Sequence, residues 1–348
     1  MKIAFAGGGS LGPVTPLLAV ARRLKIASSS GTPRNDNVDF IWFGTADGPE
    51  RDLIEKEGIK FFPITVAKFP RYPDMRWLTF PFDMMKAKRE AREVLEKERP
   101  DAVVSAGGFT AVPVIREASK MGIPCAIHQL DALMSWSNKV VEKYCVSKTT
   151  SFARDGYDLI ATPSRFSLND LPEKHAGAKP VVFVVGGGTG SGALNGAISS
   201  QLDRWLAFAD VMHATGAGKK GDLVDREGYT VRELFDQNEM KRALADADLV
   251  ITRAGIGSLS DVASCSKAAI VVPIPNGQQI KNAEVFHAAK AGLYVRQDQE
   301  DFAGMLFGVA KHVLSDRVEL QRLGETAHAF FQTDDGGELA ERVIKIAA

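Results

Sequence analysis

Cysteine, net charge and long apolar runs are all scarce in this sequence. The 348 residues include three cysteines, Cys125, Cys145 and Cys265. Their wide spacing forms neither a C-x-x-C pair nor a zinc pattern, so we expect reduced packing residues in a cytosolic protein and no bound metal. The 43 basic and 43 acidic side chains cancel. That balance argues against a globally basic protein that binds nucleic acid.

Long apolar segments are missing as well. No uninterrupted apolar run approaches the ~20 residues that a membrane-spanning helix needs. Only Lys2 precedes the first apolar segment, and glycines follow it closely, which is unlike a signal peptide. We therefore expect a cytoplasmic protein.

The sequence does contain a repeated order of short apolar strands and helices. The strands are rich in Val, Ile, Phe and Ala rather than alternating with polar residues, which is typical of buried parallel sheets. Strands alternating with helices predict an α/β fold with two doubly wound parallel-sheet domains. The predicted strands are KIAFAG, VDFIWFG, DAVVSAGG, PCAIHQL and DLIATPSRF in the first half, and VVFVVGG, DVMHATG, DLVITRAG, AAIVVPIP and GLYVRQ in the second.

A polar segment with three prolines, ATPSRFSLNDLPEKHAGAKP, separates the two halves. It predicts a first domain over residues 1–163 and a second over residues 164–334. The remaining residues, 335–348, form one amphipathic helix, which we expect to pack back on the first domain.

A glycine-rich turn follows the first strand, in AFAGGGSLGPVTP, and Gly7, Gly9 and Gly12 fit the G-x-G-x-x-G pattern of dinucleotide sites. An NAD site also needs an acidic residue at the end of the second strand. That strand ends at Thr45, and Pro13 removes one backbone donor from the helix start. We therefore expect no NAD here; a phosphate-binding turn and a purely structural turn remain open.

The second half has a more informative loop in DLVITRAGIGSLSDVASC. A buried strand ends at Arg253, and Gly255, Gly257 and Ser258 then begin a helix whose N–H groups can bind phosphate. Asp261, one turn further, can accept hydrogen bonds from two vicinal sugar hydroxyls. The helix after the next strand begins at residues 278–279 with two glutamines, so amides join the same sheet edge. This combination predicts a nucleotide-sugar site, with an ordinary polar helix start as the alternative.

These segments resemble glycosyltransferase family 28, the MurG-type enzymes. The resemblance covers nearly the whole chain and is most specific in DLVITRAGIGSLSDVASCSKAAIVVPIPNGQQIKNA. It implies a GT-B fold, in which two Rossmann-like domains face each other across a cleft. It also implies an enzyme of peptidoglycan synthesis that transfers N-acetylglucosamine, with inversion, from UDP-N-acetylglucosamine to a lipid-linked muramoyl-peptide.

The resemblance places the donor site in the second domain. The implied donor-binding residues are Thr189, Gly190, Arg253, Gly255, Ile256, Gly257, Ser258, Asp261, Gln278 and Gln279. Thr189 and Gly190 would face the sugar and diphosphate, while Arg253 and the following helix start would bind the diphosphate. Asp261 takes the ribose-binding position, where the family typically has Glu, and the glutamine pair reads the sugar.

The acceptor side departs from the family pattern. The implied acceptor contacts are Gly9, Ser10, Gly12, Phe109 and Asn138. Pro13 stands where the family's first loop usually carries a His that has been proposed in the chemistry, and Phe109 replaces a Tyr. A base is still needed for the attacking hydroxyl. We expect Asp131 to be that base, with His128 as the second candidate; the alternatives are a helix cap and a structural histidine.

Aromatic and basic residues alternate in AKFPRYPDMRWLTFPFDMMKAKREAR, as suits an anionic membrane surface. Phe69, Trp77, Leu78 and Phe80 are the expected contacts, which would place the protein peripherally on the cytoplasmic face of the membrane. A partly buried loop followed by an exposed helix is the alternative.

Three other functions fit the same fold. A UDP-sugar 2-epimerase would need acidic residues and a His around the sugar, which the first loop lacks. A transferase for another lipid and a catalytically silent GT-B binding protein are the other two, and the intact donor loops argue against silence. The expected partners are a UDP-sugar and a lipid-linked acceptor, without a prosthetic group, metal or nucleic acid.

Overall fold

The computed structural model describes residues 1–9, 11–29, 38–48, 50–65, 76–275 and 277–348, with the backbone alone at 27–29 and 76–78. These residues form two compact units. The N-terminal domain comprises Met1–Arg165 together with Asp334–Ala348, and the C-terminal domain comprises Phe166–Thr333. The sequence-based boundaries, after residues 163 and 334, differ slightly from these.

The N-terminal domain is a parallel sheet with helices between its strands. Its strands are β1 (Lys2–Ala6), β2 (Asp39–Thr45), β3 (Lys60–Ile64), β4 (Ala102–Ser105), β5 (Cys125–Gln129), β6 (Ser147–Thr150) and β7 (Asp158–Leu159), and its helices are α1 (Val14–Ser29), α2 (Glu50–Lys56), α3 (Arg76–Glu98), α4 (Ala111–Lys120) and α5 (Trp136–Val141). The strand order is β3-β2-β1-β4-β5-β6-β7, and every pairing is parallel.

A short strand, β8 (Thr162–Pro163), leads out of this domain. The C-terminal domain then repeats the plan with strands β9 (Val181–Val185), β10 (Asp210–Ala214), β11 (Tyr229–Arg232), β12 (Leu249–Thr252), β13 (Ala268–Val271) and β14 (Leu293–Tyr294), and helices α6 (Gly192–Ser199), α7 (Leu202–Phe208), α8 (Gln237–Asp246), α9 (Ile256–Ser264), α10 (Gln278–Ala288), α11 (Phe302–Leu314) and α12 (Arg317–Phe330). Its sheet is parallel in the order β11-β10-β9-β12-β13-β14.

Both sheets therefore have the doubly wound order of a Rossmann fold, and the predicted pair of parallel-sheet α/β domains is confirmed. The central strands are buried on both faces, as apolar runs without alternation require. The order reverses between β1 and β4 in one sheet and between β9 and β12 in the other. Ligands of such sheets bind beyond the carboxyl ends of the strands at this reversal.

The chain ends with β15 (Thr333–Asp334), which pairs with β8, and α13 (Gly337–Ala347). Helix α13 packs on α1 and buries Leu339, Ala340 and Val343. The Asp334 carboxylate accepts hydrogen bonds from the Gly336 and Glu338 amides at the helix start, at 2.9 and 2.8 Å. A side chain at residue 336 would clash, because its Cβ would lie 2.9 Å from the backbone nitrogen of Val20.

The three cysteines are unpaired. Burial raises the pKa of the Cys125 and Cys265 thiols to about 12, so both remain protonated packing residues at neutral pH. Of the helices that the structure describes, none is both long and apolar enough to cross a membrane.

Candidate functional site

The loop after β9 is held by close backbone packing. Gly190 has φ +67°, and a Cβ there would lie 2.0 Å from the Thr215 carbonyl oxygen. Gly216 has φ +95°, and its Cβ would lie 2.4 Å from the Cα of Gly190. Only glycine fits at either position. Lys219 Nζ adds a hydrogen bond to the Thr189 carbonyl at 2.7 Å, so the exposed Thr189 lies on a fixed loop.

Arg253, the residue after β12, is a buried cation held by uncharged partners. Its Nη1 donates to the carbonyls of Val272 and Pro273, at 3.0 and 3.2 Å, and to the Gln297 amide oxygen. Its Nη2 donates to Ser191 Oγ, and its Nε is buried without a partner. The side chain thus ties the loop after β9 to the ends of β12 and β13.

The electrostatics of Arg253 are unusual. The residue is 7% exposed, and burial lowers its pKa. A buried charge without a counter-ion is costly, and the structure gives this guanidinium only neutral acceptors among the described residues. A bound anion would supply the missing charge, which makes the switch point of this sheet a suitable phosphate site.

Helix α9 begins directly beside Arg253. Gly255 is its N-cap residue, and the backbone N–H groups of Ile256 and Gly257 lie at the positive end of the helix. The fully buried Asn282 donates from Nδ2 to the Ala254 carbonyl at 2.9 Å and so fixes the turn before the helix.

The two glutamines begin α10 at the same sheet edge. Gln279 Oε1 accepts from the Ile274 amide at 3.1 Å, and its Nε2 would lie 3.8 Å from a Cβ on Gly255. Gln278 is partly exposed beside it. The structure therefore brings Arg253, the α9 start and Gln279 together in one domain.

Two other predicted donor residues lie on α9. Ser258 is partly exposed, and its amide bonds to the Gly255 carbonyl at 3.0 Å. Asp261, in the second turn, is 3% exposed.

The first glycine loop of the N-terminal domain packs against the second. Gly108, with φ +94°, follows β4, and a Cβ there would lie 3.0 Å from the Gly8 carbonyl oxygen. Gly9, with φ +84°, donates its N–H to Glu50 Oε1 at 3.2 Å. The Phe109 ring lies 3.9 Å from the Cβ position of Gly9. Gly12 is exposed just before α1, and Ser10 lies outside the described residues.

The loop between β5 and α5 is organised by the Gln129 amide. Its Nε2 donates to the carbonyls of Asp131 and Leu133, at 2.8 and 3.1 Å. Its Oε1 accepts from the Ser135 amide at 3.3 Å and from Asn138 Nδ2 at 2.8 Å. This clamp fixes the backbone at Asp131, whose side chain is partly exposed.

Asn138 is 1% exposed, and its Oδ1 is buried without a partner. That oxygen lies 3.5 Å from the Cβ position of Gly107 in the second glycine loop. An unsatisfied buried acceptor is costly, so this oxygen is suited to a ligand or water donor at the loop.

The two candidate bases have different surroundings. His128 is fully buried; its Nδ1 lies 2.9 Å from Thr149 Oγ1 and its Nε2 lies 3.2 Å from Ser151 Oγ. Burial lowers its pKa to about 3, so it is neutral at physiological pH, with both nitrogens engaged inside the domain. Asp131 is the more accessible of the two.

The other buried histidine, His213 on β10, is structural. Its ring nitrogens contact the Tyr229 hydroxyl at 2.9 Å and Asn195 Oδ1 at 3.0 Å. Burial lowers its pKa to about 4. Asn195 in turn donates to the Thr215 carbonyl at 3.0 Å, which supports the loop that packs against Gly190.

Sequence reasoning missed four residues of these sites. Ser191 and Gln297 hold Arg253, and Glu50 accepts from the first glycine loop. Arg154 Nη2 donates to the Ala132 carbonyl at 2.9 Å, beside Asp131, and its Nε is buried without a partner. No local pattern marks them; only Ser191, as the N-cap of α6, carried a recognisable signal.

The structure describes only part of the segment that is expected to contact the membrane. Phe69 and the side chains of Trp77 and Leu78 lie outside the described residues. Phe80 is partly buried against the domain core, so it offers little surface. Phe82 and Met85, one turn apart on α3, are 72% and 68% exposed.

Across the part of the chain that the structure describes, no group of three or more His, Cys, Asp or Glu side chains is placed to hold a metal ion.

Family models and known proteins match this arrangement over most of the chain. The glycosyltransferase family 28 N-terminal domain matches residues 3–149, and the family's C-terminal domain matches residues 181–335. A Clostridium botulinum (strain 657 / Type Ba4) protein is 32% identical over 317 residues, which is 86% of this chain and 87% of that protein. It is named UDP-N-acetylglucosamine--N-acetylmuramyl-(pentapeptide) pyrophosphoryl-undecaprenol N-acetylglucosamine transferase.

Two further proteins are similar over nearly the whole chain. A Staphylococcus carnosus (strain TM300) protein of the same name is 29% identical, over 99% of this chain and 97% of its own. The solved structure of Acinetobacter baumannii MurG has a TM-score of 0.75 at 23% identity, over 99% of both chains, which shows the shared fold. With two family models covering most of its length, the chain belongs to glycosyltransferase family 28.

Proposed function

We propose that the protein transfers N-acetylglucosamine from UDP-N-acetylglucosamine to a lipid-linked muramoyl-peptide, with inversion at the anomeric carbon. The observation that carries this proposal is Arg253, a buried cation with neutral partners at the switch point of the C-terminal sheet. A nucleoside diphosphate supplies the charge that this position lacks. The relatives' shared name supports the identity of sugar and acceptor.

The C-terminal domain binds the donor in this proposal. The diphosphate lies at Arg253 and the amides of Ile256 and Gly257, beside the loop that carries Thr189 and Gly190. Gln278 and Gln279 contact the sugar, and Asp261 contacts the ribose. No prosthetic group takes part; UDP-N-acetylglucosamine is a substrate.

The reaction is one displacement. The acceptor hydroxyl attacks the anomeric carbon, and the bond from that carbon to the diphosphate oxygen breaks. UDP leaves with the electron pair, and its charge is stabilised by Arg253 and the α9 start. The hydroxyl proton passes to a base in the N-terminal domain, which we assign to Asp131. His128 is set aside because it is buried and both its nitrogens are engaged.

The function is tested by incubating the protein with UDP-N-acetylglucosamine, with and without lipid-linked muramoyl-peptide. We expect UDP release and a disaccharide-bearing lipid product only when that acceptor is present, as measured by mass spectrometry. Formation of an epimerised UDP-sugar without acceptor would instead support the 2-epimerase. Transfer to a diacylglycerol but not to the muramoyl-peptide would identify a different lipid acceptor.

A lipid-linked acceptor also requires contact with a membrane surface. We propose that the exposed face of α3 around Phe82 and Met85 provides it on the cytoplasmic side. The side chains of Lys86 and Arg89, on the same helix, are 60% and 73% exposed and add positive charge next to these apolar groups. Apolar groups beside cations favour a surface of anionic lipid.

Binding to anionic vesicles should weaken about tenfold when Phe82 and Met85 are both replaced by Ala, because burial of their apolar area in the interface is lost. Co-sedimentation with phosphatidylglycerol vesicles measures this binding. In the matched control variant, Ala replaces Val224 and Val318, two exposed residues of the C-terminal domain. This variant should bind the vesicles like the wild type. Equal binding by both double variants would refute the contact.

A further inference from the structure

A carboxylate from α2 accepts a hydrogen bond from the first glycine loop, whose counterparts in dinucleotide-binding domains bind a phosphate. Glu50, the first residue of α2, is fully buried. Its Oε1 accepts hydrogen bonds from the Gly9 amide at 3.2 Å, from the Thr45 amide at 2.8 Å and from Thr45 Oγ1 at 2.6 Å. In dinucleotide-binding domains the glycine loop after the first strand turns its amides to a pyrophosphate.

The surrounding glycines fit closely around this carboxylate. A Cβ at Gly8 would lie 2.4 Å from Glu50 Oε1, and a Cβ at Gly48 would lie 2.1 Å from Oε2. Both positions therefore require glycine while the carboxylate is present. The glycine pattern that resembles a dinucleotide site thus has a second physical cause.

The charge of Glu50 has no cationic partner among the described residues, since its hydrogen bonds all come from Gly9 and Thr45. Its Oε2 is buried and unpaired. A second anion brought to the same amides would meet this negative charge at close range, which is strongly unfavourable away from water.

The loop that Glu50 holds is in contact with the rest of the proposed acceptor surface. Gly8 packs against Gly108 of the second glycine loop, and Gly107 of that loop faces Asn138. Asn138 bonds to Gln129, which clamps the backbone at Asp131. The first glycine loop therefore contacts the second, and the second contacts the loop between β5 and α5. The Glu50 carboxylate is bound to the first of these three loops.

We propose that Glu50 is a positioning residue: its carboxylate acts as an internal anion that fixes the first glycine loop for acceptor binding and withholds the Gly9 and Thr45 amides from phosphate. The acceptor part of this inference rests on the proposed function. The internal anion itself does not, because it concerns contacts within the N-terminal domain.

Chemical rescue tests the internal anion directly. Glu50→Ala removes a CH₂ and a carboxylate, the heavy atoms of acetate, and leaves the three donors in place. We expect Glu50→Ala to have a lowered Tm, and acetate to raise that Tm by several degrees relative to sodium chloride at equal ionic strength. The wild type should show no such difference.

Glu90→Ala is the matched control. Glu90 also accepts from a threonine amide and hydroxyl, those of Thr65, at 2.7 and 2.9 Å, but these bonds hold the end of β3 rather than a glycine loop, and Glu90 is partly exposed. We expect no acetate-specific change in its Tm. An acetate response that is equal in the two variants, or absent from Glu50→Ala, would overturn the internal anion.

Kinetics test the positioning role. We expect Glu50→Ala to raise the acceptor KM about tenfold, acetate to reverse that rise, and the Tm increase caused by UDP to stay as in the wild type. Glu50→Gln keeps an accepting oxygen for the three donors but removes the charge and leaves a buried amide nitrogen without an acceptor. Its acceptor KM should therefore rise less than that of Glu50→Ala, and acetate should not reverse the rise because the side chain still fills the space.

Thr45→Val covers the case in which Glu50→Ala does not fold. It removes one of the three donors and should raise the acceptor KM with the UDP response unchanged. A wild-type acceptor KM in Glu50→Ala, or in Thr45→Val if the former is unfolded, would refute the role while leaving the proposed function intact. A wild type without transferase activity would refute the function instead, and the acetate experiment would still decide whether the carboxylate is an internal anion.

Discussion

Replacing Arg253 with Met should lower kcat/KM about 10³-fold, because the leaving UDP loses the cation that stabilises its developing charge. The same change should abolish most of the Tm increase that UDP produces in the wild type. Both effects follow from one observation: among the described residues the guanidinium contacts only neutral oxygens, so a bound anion would supply its counter-charge.

The thermal stability of the ligand-free protein should respond differently to this substitution. Met removes the desolvation cost of the buried charge, but it leaves four acceptors without their donor: the carbonyls of Val272 and Pro273 and the side chains of Ser191 and Gln297. These two effects oppose each other, so the Tm of Arg253→Met without ligand should lie within a few degrees of that of the wild type. Arg296, which is exposed and paired with Asp298, is the matched control, and Arg296→Met should leave both the activity and the UDP response unchanged.

Differential scanning fluorimetry with and without UDP, together with the transfer assay, measures these outcomes. A wild-type UDP response in Arg253→Met would show that the diphosphate binds elsewhere. A large fall in Tm without ligand would show that Arg253 is mainly a structural clamp between Ser191 and Gln297.

The strands that periodicity identifies well are those whose residues are uniformly apolar. β1, β4, β9 and β12 lie at the sheet centres, where both faces are covered. Three strands of the two large sheets escape sequence reasoning: β3 and β11 are edge strands, and β6 is second from an edge. β3 carries Pro63 and β6 reads SKTT, and neither pattern has the apolar signal of a central strand.

The helices show a related limit. The segment ALNGAISSQLDRWLAFA predicts one helix, but the chain forms α6 and α7 with a break at Ser200 and Gln201. The hydrophobic pattern continues across the break, so periodicity alone does not reveal it. α12 is highly charged and exposed on one face, so its sequence carries a weaker apolar signal.

The same contrast holds for the sites. Glycines, helix starts and residues at strand ends are visible in the sequence because turns and phosphate-type loops need those residue types. The residues that contact them from distant positions in the chain are not visible in the sequence. Gln297 contacts Arg253 across 44 positions, and Glu50 contacts Gly9 across 41. Such contacts follow from the order of strands in the sheet, which puts separate loops at one edge.

Asp131→Asn should lower kcat about 10²- to 10⁴-fold, the range that general base catalysis contributes. The substitution keeps the size of the side chain and removes its ability to accept a proton from the attacking hydroxyl. The Gln129 clamp binds the backbone carbonyl of residue 131, and the substitution leaves that bond in place. The acceptor KM should therefore change much less than kcat.

The pH dependence separates a base from a merely structural carboxylate. A base acts only when unprotonated, so wild-type kcat should fall as pH decreases through the titration of that group, and Asp131→Asn should lose this acid limb while keeping a low, flat rate. The exposed Asp155, on the loop after β6, provides the control: Asp155→Asn should keep both the rate and the acid limb. An acid limb retained in Asp131→Asn at near wild-type kcat would exclude Asp131. Because His128 is buried with both nitrogens engaged, the base would then have to come from a group that acceptor binding brings to the site.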